Sequence, residues 1–426
     1  MGTVILIIFV AGYIAIATEH SIKINKAATA LLIGVLCWAV YVLSSADTAS
    51  AMHQLMEHLS EISGIVFFLM GAMVIVELID IHDGFEILTQ KISTTRKLKL
   101  LWIISFTTFF LSAVLDNLTT TIVIISLLRK LLSDRKDRLF FAGIVIIAAN
   151  AGGAWSPLGD VTTTMLWIGG QITAGNIIAE LILPSIVCLV VPLVYLSFKM
   201  KGNVKPPEEK IKSSQPVASA IERNTVFAVG IGALLFVPVF KTITHLPPFM
   251  GVLFGLSVLW IVTELMHGGK DHESKNFYSV THALRKIDTS SILFFLGILI
   301  CVSALQSTGL LTNFANWLTK TIANDTIIVM SIGLLSSIVD NVPLVAATQG
   351  MYSLAQYPTD HFFWEFLAYC TGTGGSALII GSAAGVAAMG MEKIEFFWYL
   401  KRISLLALAG YIAGAVCYII QNQLLH

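Results

Sequence analysis

Long apolar stretches separated by short polar connections run along the whole chain. A helix of about 20 mostly apolar residues crosses the hydrocarbon core of a bilayer, so this pattern predicts membrane-spanning helices. Four apolar regions, residues 98–132, 139–169, 325–356 and 362–390, contain polar or glycine-rich interruptions and are not simple spans. Simple spans are predicted at residues 2–18, 27–44, 64–81, 177–198, 224–240, 249–266, 290–307 and 396–421.

The interrupted region 98–132 predicts a hairpin that enters and leaves the membrane on one side. Asp116-Asn117 divides it into two arms. The longer arm, residues 100–115, would be about 24 Å long as a helix, which is too short for a core of about 30 Å. Basic residues flank both ends of the region, and such flanks face the cytoplasm. The region is therefore predicted to be re-entrant, with Asp116-Asn117 at its tip.

The second interrupted region, 325–356, gives the same pattern, with Asp340-Asn341 at its tip.

The distribution of basic residues tests the topology of the whole chain. We place the N-terminus outside and count each hairpin as no crossing. All 26 Lys and Arg residues except Lys241 and Lys320 then fall on the cytoplasmic side. This asymmetry follows the positive-inside rule and predicts that both termini are periplasmic.

The two halves of the chain carry matching motifs in the same order. The tip Asn precedes a glycine pair at a similar distance in both halves, from residue 117 to 152 and from 341 to 374. Each half is predicted to hold three helices, a re-entrant hairpin, a broken helix and a final helix. These make five crossings, an odd number that inverts the second copy, as is typical of secondary transporters. The predicted units are repeat 1 at 1–198, a cytoplasmic linker at 199–223 and repeat 2 at 224–426.

Composition supports this fold class and excludes others. Hydrophobic residues make up 56% of the 426 positions and charged residues 12%, whereas a soluble domain carries about 25% charged residues. Basic and acidic residues balance at 26 each, which argues against nucleic-acid binding. The five cysteines form no CxxC pair, so no disulfide framework or zinc site is expected. We predict an all-α polytopic membrane protein without a cofactor.

Two glycine-rich breaks are the strongest candidates for a ligand site. Gly152-Gly153 and Pro157 interrupt helix formation in the first break. Unwound backbone at membrane depth is tolerated only where it is buried in protein or lines a wet cavity. Freed carbonyls and the oxygens of Asn, Ser and Thr suit a hard cation. Residues 150–160 and 371–376 therefore predict a shared cation site.

Asp116 and Asp160 are the expected charged ligands of this cation site. An ionised carboxylate at the bilayer centre costs about 2.5–3.5 kcal/mol. Either residue would also cap the helix that follows it, but Ser or Asn would cap without that cost. Capping and ion binding are compatible. For Asp340, Pro343 marks a helix start and favours a simple cap.

These stretches resemble the NhaD-type sodium/proton antiporters of the ion transporter superfamily. The likeness is carried by residues 112–120, 150–163 and 336–343 and extends through nearly the whole chain. It implies a homodimeric exchanger of Na⁺ or Li⁺ for H⁺ in the bacterial inner membrane. Glu61 matches a family acid, and Thr373 lies in the second break. The functional positions that the resemblance implies are Ser112, Asp116, Asn117, Asn150, Asp160, Thr162, Thr163, Ser336, Asn341 and Ser376.

The two halves do not offer equivalent ion sites. Gly372 and Ser382 stand where the first break has its Asn and its acid. We hypothesise that Asp116 and Asp160 bind a proton or a sodium ion in turn, because an apolar pocket favours the neutral acid and a metal ion favours the charged form. Competition for the same oxygens would couple the two fluxes.

Three alternatives remain at this level. A sodium-coupled carboxylate symporter of the same superfamily would use helix N-termini to bind its anion, although an Asp at both hairpin tips would repel a dicarboxylate. An intramembrane enzyme would leave the duplicated halves unexplained, so we expect no enzymatic activity. An ion channel would lack saturable exchange kinetics.

Overall fold

The computed structural model describes residues 2–17, 19–89, 94–204, 218–269 and 272–425. Most of the predicted linker, residues 205–217, lies outside these ranges. Helices account for the regular structure of the first part of the chain. They are α1 Gly2–Ala17, α2 Glu19–Ile22, α3 Lys26–Ser44, α4 Thr48–Ile81, α5 Glu86–Thr89, α6 Lys97–Leu115, α7 Asn117–Leu131, α8 Arg135–Gly153, α9 Val161–Ile168 and α10 Ala174–Lys199.

Helices also form the second part of the chain, with one short 3₁₀ turn at Gly375–Ala377 inside the second break. They are α11 Ala220–Thr244, α12 Pro248–His267, α13 His272–Phe277, α14 Val280–Lys286, α15 Thr289–Ser307, α16 Leu310–Ile322, α17 Asp325–Leu335, α18 Asn341–Met351, α19 Phe362–Gly374, α20 Ala383–Glu392, α21 Phe396–Arg402 and α22 Ser404–Leu425.

The predicted class, an all-α polytopic membrane protein, is confirmed. Within the described ranges eight helices are long and apolar enough to cross a bilayer, and a ninth span results if α16 and α17, which are bent by 118°, count as one. The shorter α1 is also apolar. Helices α3 and α15 pack closely because both carry glycine at the crossing: a Cβ on Gly34 would lie 2.7 Å from the Gly297 carbonyl oxygen.

Two helix boundaries differ from the sequence prediction. A span was expected at residues 64–81, but α4 already begins at Thr48 and runs without a break to Ile81. Asp47 caps its start by accepting hydrogen bonds from the backbone nitrogens of Ala49 and Ser50, and residues 48–60 contain no Gly or Pro to end it. The last predicted span is divided at Ile403 into α21 and α22.

Helices α6 and α7 form a pair that returns to the level where it began. The backbone changes direction at Asp116. Lys97, the first residue of α6, pairs with Asp137 in the first turn of α8 at 2.7 Å, and α7 ends three residues before Asp134 caps α8. Both ends of the pair therefore lie beside the start of α8, while the tip lies beside its end, where the Ser112 hydroxyl reaches the Ala149 carbonyl.

Helix α8 lies at the centre of the molecule. All its residues from Phe141 to Gly153 are buried, and it packs on α6, α7, α10, α19 and α20. It thus contacts both hairpin arms of the first half and the two halves of the second broken helix. The break that follows α8 is held inside protein, which is the condition under which irregular backbone is tolerated at membrane depth.

Candidate ion-binding site

Asp160 lies at the point where three helices begin. It ends the first break and caps α9 by accepting a hydrogen bond from the backbone nitrogen of Thr162 at 3.0 Å. The side-chain nitrogens of Asn117 and Asn341 also donate to its carboxylate, at 2.8 Å and 3.2 Å to Oδ2. Since Asp160 is only 2% exposed, neutral amide donors rather than water solvate this carboxylate.

Asn117 and Asn341 hold corresponding places in the two interrupted regions. Each follows the tip Asp and is the first residue of its helix, α7 or α18. Their convergence on Asp160 joins the first hairpin tip, the first break and the second tip at one buried point. A carboxylate that ends a helix break is thereby shared between elements from both halves of the chain.

Asn150 extends the network to the second break. Its Oδ1 accepts from Asn117 at 3.1 Å, and its Nδ2 donates to the hydroxyls of Ser376 and Ser382 at 2.8 Å and 2.9 Å. Ser382 caps α20 through the backbone nitrogen of Gly385. The sequence-based set included Ser376 but not Ser382, although Ser382 stands where the first break has Asp160. That alignment was the signal that could have found it.

Asp116 has a strained backbone at the tip of the first hairpin. Its φ of 80° and ψ of 158° lie in a region that is essentially restricted to glycine and costs about 1–3 kcal/mol for other residues. Its two carboxylate oxygens accept from the backbone nitrogen and the hydroxyl of Thr119, both at 2.8 Å. Asp116 also lines a cavity of about 50 Å³ together with Asn117 and Val161. Asp116 thus borders the network through its neighbour Asn117.

The other predicted polar ligands lie around this centre, and most of them donate to backbone carbonyls. Thr163 donates its hydroxyl to the Asp160 carbonyl at 2.9 Å. Ser336 donates to the carbonyls of Gly333 and Thr371 at 2.7 Å and 3.2 Å. Ser112, Thr162, Thr163, Ser336, Thr373 and Ser376 are all buried. Most of these hydroxyls therefore satisfy backbone carbonyl groups near the helix breaks.

The other two predicted acids, Asp340 and Glu61, lie apart from Asp160. Asp340 caps Val342 and pairs with Lys26 of α3 at 3.5 Å, so a protein cation already balances its charge. Glu61 is 81% exposed and lies 3.9 Å from His58. Neither acid contributes to the buried amide network around Asp160.

The sequence profile of the citrate transporter (CitMHS) family matches residues 13–374. "Sodium/proton antiporter 1" of Arabidopsis thaliana is 50% identical over 98% of this chain and 72% of its own length. "Sodium/proton antiporter 2" of the same plant is 48% identical over 97% and 98%. "Na(+)/H(+) antiporter NhaD" of Alkalimonas amylolytica is 28% identical over 99% and 91%. The chain belongs to the NhaD-type antiporter family of the ion transporter superfamily.

This NhaD-type chain has a cavity of about 390 Å³ on the side where α9 ends. Glu61 and His58 lie at its edge, and Met165 of α9 and Ala346 of α18 line it. Met165 follows Asp160 by five residues, as Ala346 follows Asn341, and five helical residues rise about 7.5 Å. The cavity therefore approaches the amide-bound carboxylate from one side of the protein.

An ion cluster lies at the opposite end of the site around the buried Glu392, while its partner Arg129 is partly exposed. Glu392, at the end of α20, accepts from Arg129 at 2.6 Å and from Arg138 at 2.7 Å. Arg129 ends α7 and Arg138 belongs to the first turns of α8. The cluster joins the base of the first hairpin to the second broken helix, on the side of the protein away from the 390 Å³ cavity.

Proposed function

We propose that this protein exchanges Na⁺ or Li⁺ for H⁺ across a membrane, with Asp160 as the common binding group for the two ions. The observation that carries the proposal is the set of partners of this carboxylate. Among the residues that the structure describes, its hydrogen-bond donors are neutral amides, and no Lys, Arg or His forms an ion pair with it. A buried carboxylate without a cationic partner is stabilised by taking up a proton or a metal ion.

The amide ligands suit both occupants. An Asn side chain offers NH₂ donors on one side and a carbonyl acceptor on the other. Asn117 and Asn341 present nitrogen to a carboxylate, and a rotation of the terminal amide presents oxygen to a sodium ion instead. Sodium binding needs the ionised form of Asp160 and proton binding neutralises it, so the two ions exclude each other. Asp116 contributes a second carboxylate at the edge of the same network.

Alternating access is proposed to expose this site to each side in turn. The cavity beside Glu61 gives access from one side, and the Arg129–Glu392–Arg138 cluster closes the other. Opening the closed side requires α7 and α8 to move relative to α20. Two inverted repeats, residues 1–198 and 224–426 joined by the linker 199–223, supply related hairpins and breaks for such a movement.

The proposed setting is a bacterial cytoplasmic membrane, with both termini periplasmic and a homodimer as the working unit. The transported ions are the ligands, and no cofactor takes part. Because two relatives come from Arabidopsis thaliana, a plant membrane is the alternative setting. Reporter fusions at residues 1 and 426 test the orientation, since both must report the outer compartment.

Reconstitution into liposomes tests the proposed exchange. A pH gradient is imposed and followed with a fluorescent amine while NaCl, LiCl, KCl or choline chloride is added outside. We expect Na⁺ or Li⁺ to dissipate the gradient with saturable kinetics, and K⁺ and choline to leave it intact. Failure of both Na⁺ and Li⁺ to move protons would overturn the proposal.

A sodium-coupled carboxylate symporter is the second candidate, because the matching family is described as a citrate transporter. The site disfavours it: Asp116, Asp160 and Asp340 place acids at the tips and the break where a carboxylate substrate would bind. Uptake of labelled citrate or succinate driven by a sodium gradient separates the two candidates. Sodium-dependent uptake would favour the symporter.

A further inference from the structure

A cleft of about 780 Å³ opens on the outside of the bundle, between the end of α10 and the start of α22. The two helices pack against each other in opposite directions. The cleft lies far from the ion site, at the end of the molecule where α6 and α8 begin. Its rim carries five basic side chains, Lys97, Lys199, Lys201, Lys401 and Arg402.

The rim has a net positive charge that the protein leaves uncompensated. The acidic residue among the lining side chains is Asp137, which pairs with Lys97 at 2.7 Å. Within the described ranges, Lys199, Lys201, Lys401 and Arg402 form no ion pair, although Lys199 donates to the neutral Tyr195 hydroxyl. Four cations therefore line one cleft without an acid to balance them, and an anionic group would be attracted there.

The walls below this rim are apolar and face lipid. Along α10 the lining changes from Val191 to Lys199, a rise of about 12 Å. On the α22 wall the lining changes from the apolar Ala409 to the basic Lys401 and Arg402, which precede the helix. The change runs against the chain direction over about 10 Å. Tyr195 and Leu405 line the cleft and are 48% and 77% exposed. Both walls change from apolar to basic toward the same end. The cleft therefore suits an amphiphile, whose apolar part would contact the walls and whose anionic group would contact the basic rim.

We propose that this cleft binds an anionic phospholipid, with its phosphate among the basic side chains and its upper acyl chains along α10 and α22. Basic pockets between helices at a membrane surface take anionic lipid headgroups. An acidic peptide would match the rim but not the apolar walls. The site is independent of ion exchange, because none of its lining residues belongs to the network around Asp160.

Lipid binding is measured on the full-length protein, delipidated in detergent and titrated by native mass spectrometry. The probes are dioleoylphosphatidylglycerol and dioleoylphosphatidylcholine, which share acyl chains. The K401Q/R402Q variant should bind the anionic lipid roughly 30-fold more weakly than the wild type. The control R135Q/K136Q removes two exposed basic residues at the start of α8, outside the cleft, and should bind like the wild type.

A third variant separates a lipid site from a site for free anions. Ala409→Trp fills the apolar wall at an exposed position and leaves every basic residue in place. It should reduce phosphatidylglycerol binding by at least 10-fold. The proposal is overturned if K401Q/R402Q and A409W bind this lipid like the wild type, if glycerol phosphate competes as strongly as the lipid, or if K401Q/R402Q converts a dimer to a monomer without changing lipid binding.

Discussion

The side-chain nitrogen of Asn341 lies 3.2 Å from Oδ2 of Asp160, although the two residues are 181 positions apart in the chain. Asn341 begins a helix of the second hairpin, and Asp160 ends the first break. This contact brings the two halves of the chain to one carboxylate. Any movement of the second hairpin relative to the first break changes the surroundings of that carboxylate, which links conformation to ion binding.

Replacing Asn341 by Ala should weaken sodium binding. The substitution removes one of two side-chain amides that solvate the buried Asp160 carboxylate, and a hydrogen bond to a charged group contributes about 1.5–3 kcal/mol. We expect the half-saturating sodium concentration of exchange to rise roughly 10- to 100-fold. Asn324→Ala is the control, because it removes an exposed helix cap in the same half and should lower stability by about 1 kcal/mol without changing that concentration. Equal sodium dependence of the two variants would contradict the prediction.

Substitutions of Asp116 should separate its charge from its backbone strain. Asp116→Asn keeps an acceptor for Thr119 and should preserve folding but abolish exchange. Asp116→Gly removes the carboxylate and relieves the φ of 80°, a strain of about 1–3 kcal/mol. It should unfold at a temperature at least as high as Asp116→Asn. Liposome exchange and thermal unfolding in detergent measure the two effects. Exchange retained by Asp116→Asn would exclude a charge-dependent role.

The helix breaks could be predicted because their residues have no other place in an apolar segment. Asp116-Asn117 and Gly152-Gly153 interrupt hydrophobic runs that are otherwise uniform. A break at each follows from the cost of a buried charge and from the poor helix propensity of glycine. The structure ends α6 at Leu115 and α8 at Gly153. The local sequence is therefore sufficient to predict where each helix break occurs.

The sequence predicted that the two breaks share a site, but not the individual hydrogen bonds and ion pairs that join them. The bonds of Asn150 to Ser376 and Ser382 join residues 226 and 232 positions apart. Glu392 meets Arg138 across 254 positions. Periodicity and composition carry no information about such pairs, since they report only the local environment of a segment. The extension of α4 to Thr48 was missed for a related reason: its polar first turns lack the hydropathy of a span but retain good helix propensity.

Removing the Glu392 charge should destabilise the closed end of the protein. Glu392→Gln leaves Arg129 and Arg138 without a carboxylate partner, and breaking a buried ion pair costs about 3–5 kcal/mol. Because Arg129 is partly exposed, we expect a loss near the lower limit. Thermal unfolding in detergent measures it. Glu395→Gln is the matched control: Glu395 lies three positions further along, is exposed and makes no side-chain cap. Equal unfolding temperatures for the two variants would show that the cluster contributes little.

Replacing Glu61 by Gln should alter exchange only at low ionic strength. Glu61 is largely exposed at the edge of the 390 Å³ cavity, so its charge acts on arriving cations through solvent rather than as a ligand. The Debye length falls from about 30 Å at 0.01 M salt to about 8 Å at 0.15 M, so screening should remove the effect.

We therefore expect Glu61→Gln to slow sodium-driven exchange about twofold to threefold in choline-free buffer of about 0.01 M ionic strength, and to match the wild type near 0.15 M. Glu57→Gln, one turn earlier on α4 and outside the lining of the cavity, should have a smaller effect at both salt concentrations. A loss of exchange by Glu61→Gln that persists at 0.15 M would mean that this carboxylate binds the ion directly during transport. The protein would then have to bring Glu61 out of solvent in another state.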